Sequence, residues 1–176
     1  MPSEIVIPGF TAAVLLLMIA LSTAGALTMS LSLIINTVRQ AQEDFLRKMT
    51  KITIKQASVI YSNGMLEVEI IVENSGPYPI YKMEDCDLII EYFSLDGSFK
   101  SVRLSYPSNW FVEKVFLVGD YAVGFDEHSL IDRGEAGGIR GFAFINDLST
   151  EKPLRIVFTT HYGSSDSKWV FANAQN

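Results

Sequence analysis

Residues 5–21 read Ile-Val-Ile-Pro-Gly-Phe-Thr-Ala-Ala-Val-Leu-Leu-Leu-Met-Ile-Ala-Leu, and no charged side chain follows until Arg39. The uncharged run between Glu4 and Arg39 is 34 residues long. About 20 helical residues cross the hydrocarbon core of a bilayer, so a run of this kind reads as a transmembrane helix. A secretory signal has a basic n-region and an apolar stretch of about 7–15 residues, whereas this chain starts Met1-Pro2-Ser3-Glu4 with no Lys or Arg. Membrane insertion is therefore expected over a cleaved signal or a buried core helix.

Working outward, the run changes character at Ser22, where Ser22, Thr23, Gly25, Thr28, Ser30, Ser32, Asn36 and Thr37 enter. As a helix it is about 50 Å long against a hydrocarbon thickness of about 30 Å. It is expected to leave the membrane and continue through residues 39–51, whose charges alternate like a solvated stalk. Thr23, Ala26, Ser30, Leu33 and Thr37 recur at spacings of three and four, which places mainly small residues on one face and permits close helix–helix packing. The alternative is that Ser and Thr only bond back to the carbonyl four residues earlier.

The chain carries a net charge of −6, and residues from Ile52 onward carry −7. An acidic domain repels phosphate backbones, so nucleic acid is not expected as a partner. No Lys or Arg precedes the helix and four follow it (Arg39, Arg47, Lys48 and Lys51). The positive-inside rule would then place the C-terminal domain in the cytoplasm. If the span ends near Thr28, Arg39 lies about three turns beyond it, which weakens that argument. The single cysteine, Cys86, excludes an internal disulfide and a cysteine zinc site.

Beyond Lys51 the periodicity becomes alternating. Residues 52–55 and 57–61 read as one strand or a broken pair, Asn63-Gly64 as a hairpin turn, and residues 66–73 as its return strand. Further strands are expected at residues 87–93, 98–104, 110–118, 139–145, 154–160 and 168–171. They are separated by turn chemistry at Asn74-Ser75-Gly76-Pro77, Asp96-Gly97, Pro107-Ser108-Asn109, Asp132-Arg133-Gly134 and Gly163-Ser164-Ser165-Asp166. The expected fold is mainly β. A membrane helix and stalk (residues 1–51) precede an extracytoplasmic, immunoglobulin-like β-sandwich (residues 52–176).

Catalytic signals are weak. His128 and His161 lie 33 residues apart with no second ligand at metal-site spacing. Glu84-Asp85-Cys86-Asp87 and Asp126-Glu127 are acidic clusters, but neither matches a calcium loop. The glycines of residues 134–141 precede no Gly-Lys-Ser/Thr. No nucleophile elbow is present. A non-enzymatic protein without metal or cofactor is expected. Tyr78, Tyr81, Trp110 and Phe111 stand near strand ends as possible interface residues, with the core the favoured place for Trp110.

The layout resembles the archaeal branch of the type IV pilin superfamily, and within it the archaellum accessory (stator) proteins known as F and G. The likeness spans nearly the full length. Val72-Glu73-Asn74-Ser75-Gly76 is similar to their turn of strand, Asn, small residue and Gly. Leu130-Ile131-Asp132-Arg133-Gly134-Glu135-Ala136 resembles their loop before a strand, with Arg133 where Pro is usual. Ile156-Val157-Phe158-Thr159-Thr160-His161-Tyr162-Gly163 resembles their closing segment. Gly9-Phe10-Thr11 is similar to a prepilin cleavage junction, although no basic residue precedes it and Val14 stands where bacterial pilins carry glutamate.

The resemblance implies an uncleaved, single-pass accessory protein of the archaeal motility machinery. Its β-domain would bind a sister accessory protein or the S-layer, in a homo- or hetero-oligomer at the cell surface. A filament subunit, archaellin or pilin-like, is the second expectation. A membrane-tethered module binding a solute or Ca²⁺ through the acidic loops is the third.

Overall fold

The computed structural model describes residues 3–117 and 121–174, without the side chains of residues 3–11, 47, 48 and 174. The chain divides into two compact units, residues 1–44 and 45–176. Helix α1 spans Ser3–Met49. Within it, Ala12–Leu46 is long and apolar enough to cross a membrane, and its apolar window is not buried by the rest of the chain. Leu, Ala and Met dominate this stretch and lose little on entering a helix. Thr50 ends the helix, its amide and its Oγ1 both donating to the Leu46 carbonyl at 2.8 Å. The last turn of α1 is counted with the second compact unit, which starts at Phe45.

The β-unit is a sandwich of two sheets. Strands β1 (Ile52–Ser62), β2 (Met65–Asn74), β3 (Asp87–Phe93), β4 (Phe99–Leu104) and β5 (Trp110–Phe116) come first. They are followed by β6 (Ala122–Gly124), the one-turn helix α2 (Phe125–His128) and β7 (Ala136–Phe144). Strands β8 (Leu154–Thr159), β9 (Ser165–Val170) and β10 (Asn173–Ala174) complete the chain. One sheet has the order β10-β1-β2-β7-β5-β6 and the other β4-β3-β8-β9. Pairing is antiparallel except where β10 joins β1.

Alternation explains the sandwich. In β2, Leu66, Val68, Ile70 and Val72 point inward, and in β3 Leu88, Ile90 and Tyr92 do the same. Ile139 of β7 and Leu154, Ile156 and Phe158 of β8 fill the space between the sheets. Ile80 and Ile131, both fully buried, bridge the loops that precede β3 and β7. The two sheets are also tied at one side, where Ile54 of β1 donates its amide to Asp166 Oδ2 of β9 at 2.7 Å.

Local chemistry set several boundaries as expected. Asn63 and Gly64 take φ of 50° and 79°, the left-handed pair of a tight hairpin turn. β3 covers residues 87–93. Residues 52–61 form one strand, and its apparent break is a bulge between Ile54 and Gln56. Elsewhere the structure differs. β7 starts at Ala136, three residues earlier than expected, because its glycines fit a crowded strand. A Cβ at Gly137 would strike Ile131 Cδ1, and one at Gly141 would meet Leu88 and Leu104 at 3.0 Å. β9 starts at Ser165, since the preceding turn closes early through Gly163 N to Thr160 O (2.7 Å) and Thr160 N to Ser164 O (2.8 Å). The expected strand end at Val118 lies outside the described residues.

Candidate interaction surfaces

On α1, the small-residue face meets its alternative directly. Thr23 Oγ1 donates to Ile19 O (3.0 Å), Ser30 Oγ to Ala26 O (2.9 Å) and Thr37 Oγ1 to Leu33 O (2.8 Å). Ser22, Thr28 and Ser32 bond back in the same way, three residues away. Each hydroxyl is thus satisfied within the helix, which suits an apolar surrounding. The face of Thr23, Ala26, Ser30, Leu33 and Thr37 is exposed, so it remains open to a helix partner.

In the β-unit, the segments that carry the family resemblance come together in space. Asn74 ends β2 and is fully buried. Its Nδ2 donates to Tyr78 O (2.8 Å) and Ile131 O (3.0 Å), and its Oδ1 accepts from the Gly76 amide (3.0 Å). Its backbone pairs with the other loop through Asn74 N to Glu135 O (2.9 Å) and Gly134 N to Asn74 O (2.7 Å). Ser75 and Gly76 then donate their amides to Lys51 O at 2.9 and 3.0 Å. One buried amide side chain therefore organises the turn after β2, the loop before β7 and the exit from α1. In that loop, Glu135 Oε2 accepts from the Asp132 amide at 2.8 Å and lies 2.9 Å from His128 Nε2.

The closing segment joins the same region through aromatic rings. Tyr78 packs on Tyr162 (centroids 6.3 Å), Tyr81 meets His161 edge-on (4.8 Å), and His161 lies against Tyr162 (3.8 Å). Two of the expected interface residues, Tyr78 and Tyr81, therefore form a cluster with His161 and Tyr162, which the sequence did not connect to them. Both ring nitrogens of His161 are buried without a hydrogen-bond partner among the described residues. Burial, with a smaller contribution from Lys82, holds its pKa below the ordinary histidine value. Cys86 is buried nearby, and burial pushes its thiol up to about 12.

Phe111 is half-buried on β5, 6.4 Å from Phe142. Trp110 is a correction to the interface set: it is fully buried, with Tyr106 at 5.0 Å and Phe158 at 5.8 Å, both edge-on. Its alternation with Phe111 points it inward, opposite Gly141, where the missing side chain leaves room for an indole. The acidic residues Glu84 and Asp85 are exposed around a short 3₁₀ turn, and Asp87 pairs with Arg103. Among the described residues no three His, Cys, Asp or Glu side chains converge as a metal set.

This sandwich has counterparts among solved structures. Its fold resembles archaellum stator proteins. The archaellum periplasmic stator protein FlaG from Sulfolobus acidocaldarius aligns with a TM-score of 0.46 and 17% identity, over 69% of this chain and 99% of that one. The stator complex of FlaF and FlaG from the same organism gives 0.45 and 17%, over 69% and 89%. An uncharacterized β-sandwich protein from Clostridium difficile gives 0.34 and 19%, over 69% and 85%. These likenesses concern the fold. No protein-family model and no curated protein sequence matches the chain.

Proposed function

We propose that the chain is a static, membrane-anchored accessory component of an archaellum. Its helix holds it in the membrane, and its extracytoplasmic β-sandwich grips a sister accessory protein or the S-layer. The role is mechanical rather than catalytic. The observation that carries this reading is a helix long and apolar enough to cross a membrane, followed in the chain by a β-sandwich, in a sequence whose motifs resemble those of the accessory proteins. Within the β-unit, the backbone ties of Ser75 and Gly76 to Lys51 fasten the segment that leads into β1.

A second reading, a filament subunit of archaellin or pilin-like type, is favoured by the length of α1. Its apolar side chains stay exposed through Val38, and Ala12–Leu46 has 35 residues, about 50 Å of helix. That exceeds one bilayer and suits a bundle core. Shearing surface filaments from the native cells, and quantifying the chain by mass spectrometry in filament and membrane fractions, separates the two. A chain retained in the membrane with residues 1–9 intact supports the accessory role. A chain abundant in the filaments and starting at Phe10 or nearby overturns it.

A further inference from the structure

Helix α1 is uncharged between Glu4 and Arg39 and polar on most sides beyond it. Residues 38–45 read Val-Arg-Gln-Ala-Gln-Glu-Asp-Phe, with the nonpolar side chains Val38, Ala41 and Phe45 set three and four apart among polar ones. All three are exposed, Phe45 by 53% although it follows directly on two carboxylates. Leu46 beside it is half-buried. Carried back toward the N-terminus, the same spacing picks out Ile34, Leu31 and Leu27, which are exposed as well. The line from Leu27 to Phe45 steps 4, 3, 4, 3 and 4 residues. Those steps are the heptad of a coiled coil, with Leu31, Val38 and Phe45 at its a positions and Leu27, Ile34 and Ala41 at d. Thr23, Ala26, Ser30, Leu33 and Thr37 fall at c and g in this frame, so the line is a different face from theirs.

The chemistry of the helix narrows what can cover this line. Lipid does not reach its C-terminal part: a bilayer's hydrocarbon takes about 20 helical residues, and Arg39, Glu43 and Asp44 hold residues 38–45 in water when the uncharged run before them crosses it. The rest of the chain does not cover it either, since the apolar window of Ala12–Leu46 is unburied. A straight helix drifts about 20° per heptad off such a line, so the line stays in contact along its length only when two helices supercoil. Knobs fit holes when both helices carry the repeat in step, and a second copy of α1 does so by construction. Insertion through the same uncharged run also sets the copies parallel. In a parallel pair in register, the residues beside the seam meet as g to e: Ser30 with Ile35, Thr37 with Gln42 and Asp44 with Met49 of the other copy. None of these pairs brings like charges together, and Asn36, Arg39, Gln40 and Glu43 stand on the outer side, at b, c and f.

We propose that α1 forms a parallel coiled coil with a second copy of this chain along Leu27, Leu31, Ile34, Val38, Ala41 and Phe45. The contact starts in the uncharged run and continues through the charged stalk, where Val38, Ala41 and Phe45 are taken out of water. Two copies joined in this way offer a partner two β-units, so that single weak contacts reinforce each other. The inference rests on the membrane anchoring proposed above, and on neither the accessory nor the filament role.

The test is a scan of single cysteines at positions 30, 33 and 36–43 of the full chain, reconstituted in lipid vesicles and mildly oxidised. The native Cys86 is buried, and the unsubstituted chain serves as the blank. A disulfide forms only where two Cα atoms come within about 7 Å. Val38→Cys and Ala41→Cys should therefore give the most disulfide-linked dimer, about tenfold or more above Gln40→Cys and Glu43→Cys. Adding Ala41→Glu should lower the cross-link of Val38→Cys about tenfold, while Gln40→Glu on the outer side leaves it unchanged. Equal yields at all positions overturn the proposal. So does a maximum at positions 30, 33 and 37, which would give the contact to the small-residue face. Carbonate extraction of the same vesicles reads the anchoring separately. Release of the chain overturns the anchoring and the coiled coil with it, whereas a flat scan in a retained chain overturns the coiled coil alone.

Discussion

Gly76 and Lys51 are fastened backbone to backbone: the Gly76 amide donates to the Lys51 carbonyl at 3.0 Å. A Cβ at position 76 would lie 2.6 Å from the Lys51 nitrogen and 3.1 Å from Met49 O and Thr50 Cα. These are backbone atoms, which cannot swing aside as a side chain does. Gly76→Ala should therefore destabilise the β-unit by about 1–3 kcal/mol. Gly97→Ala, at φ +85° with open space around it, should cost about 1–2 kcal/mol from backbone conformation alone. Urea denaturation followed by tryptophan fluorescence measures both, and only Gly76→Ala should also raise protease cleavage near residue 50.

Asn74 satisfies two carbonyls and one amide from a fully buried position. Asn74→Ala strands the Tyr78 carbonyl, while the Ile131 carbonyl keeps the Ile80 amide and the Gly76 amide keeps the Lys51 carbonyl. The loss should be about 1–3 kcal/mol, the cost of one unpaired buried group, read from chemical denaturation. Hydrogen exchange should speed up in the loop before β7 as well as in the turn that bears the substitution.

Trp110 buries its Nε1 without an acceptor among the described residues. Trp110→Phe removes that stranded donor along with some packing, and the two changes oppose each other. Trp110→Ala leaves a cavity between Tyr106 and Phe158 and should cost about 3–5 kcal/mol. Trp110→Phe should cost much less, below about 1.5 kcal/mol. Thermal melts of the pair give the contrast.

The depressed pKa of His161 sets a pH dependence with a definite sign. The folded protein holds the ring neutral, while the unfolded chain takes up a proton at the ordinary histidine value of about 6.5. Between those two values the unfolded state binds more protons, so stability falls as the pH drops below about 6.5 and levels off below the folded pKa. Glu84 and Asp85 oppose the depression, and Lys82 adds to it. The thermal midpoint should decline from pH 6.5 downward in the wild type, and His161→Phe should flatten that decline. Asp147, lowered chiefly by its hydrogen bond from Lys100, titrates in a more acid range and does not overlap with it.

Elements made from local chemistry were legible in the sequence. The Asn63-Gly64 turn, the alternation of residues 66–73 and the span of β3 follow from patterns a few residues long. β6, α2 and β10 were not legible, being two to four residues each and too short to show a period, and β10 is held by pairing with the distant strand β1. Gly137 and Gly138 of β7 lay outside the expected strand because their fit depends on Ile131, Lys114 and Phe116, which only the fold brings near. The aromatic cluster shows the same limit: Tyr81 and His161 are 80 residues apart, and nothing local links them. The outer face of β7 did leave a signal. Arg140, Phe142 and Phe144 alternate with small buried residues, so its large side chains point to solvent rather than to the core.

The burial of Cys86 has a practical consequence. With its pKa near 12, about one molecule in 10⁵ carries the thiolate at neutral pH, and that sulfur is shielded from reagents. The chain has no other cysteine. It therefore offers a silent background for chemical labelling: a cysteine introduced before α1 or on the sandwich surface would be the one thiol a membrane-impermeant maleimide finds. The side of the membrane on which the domain stands could thus be read in intact cells without first removing a native residue.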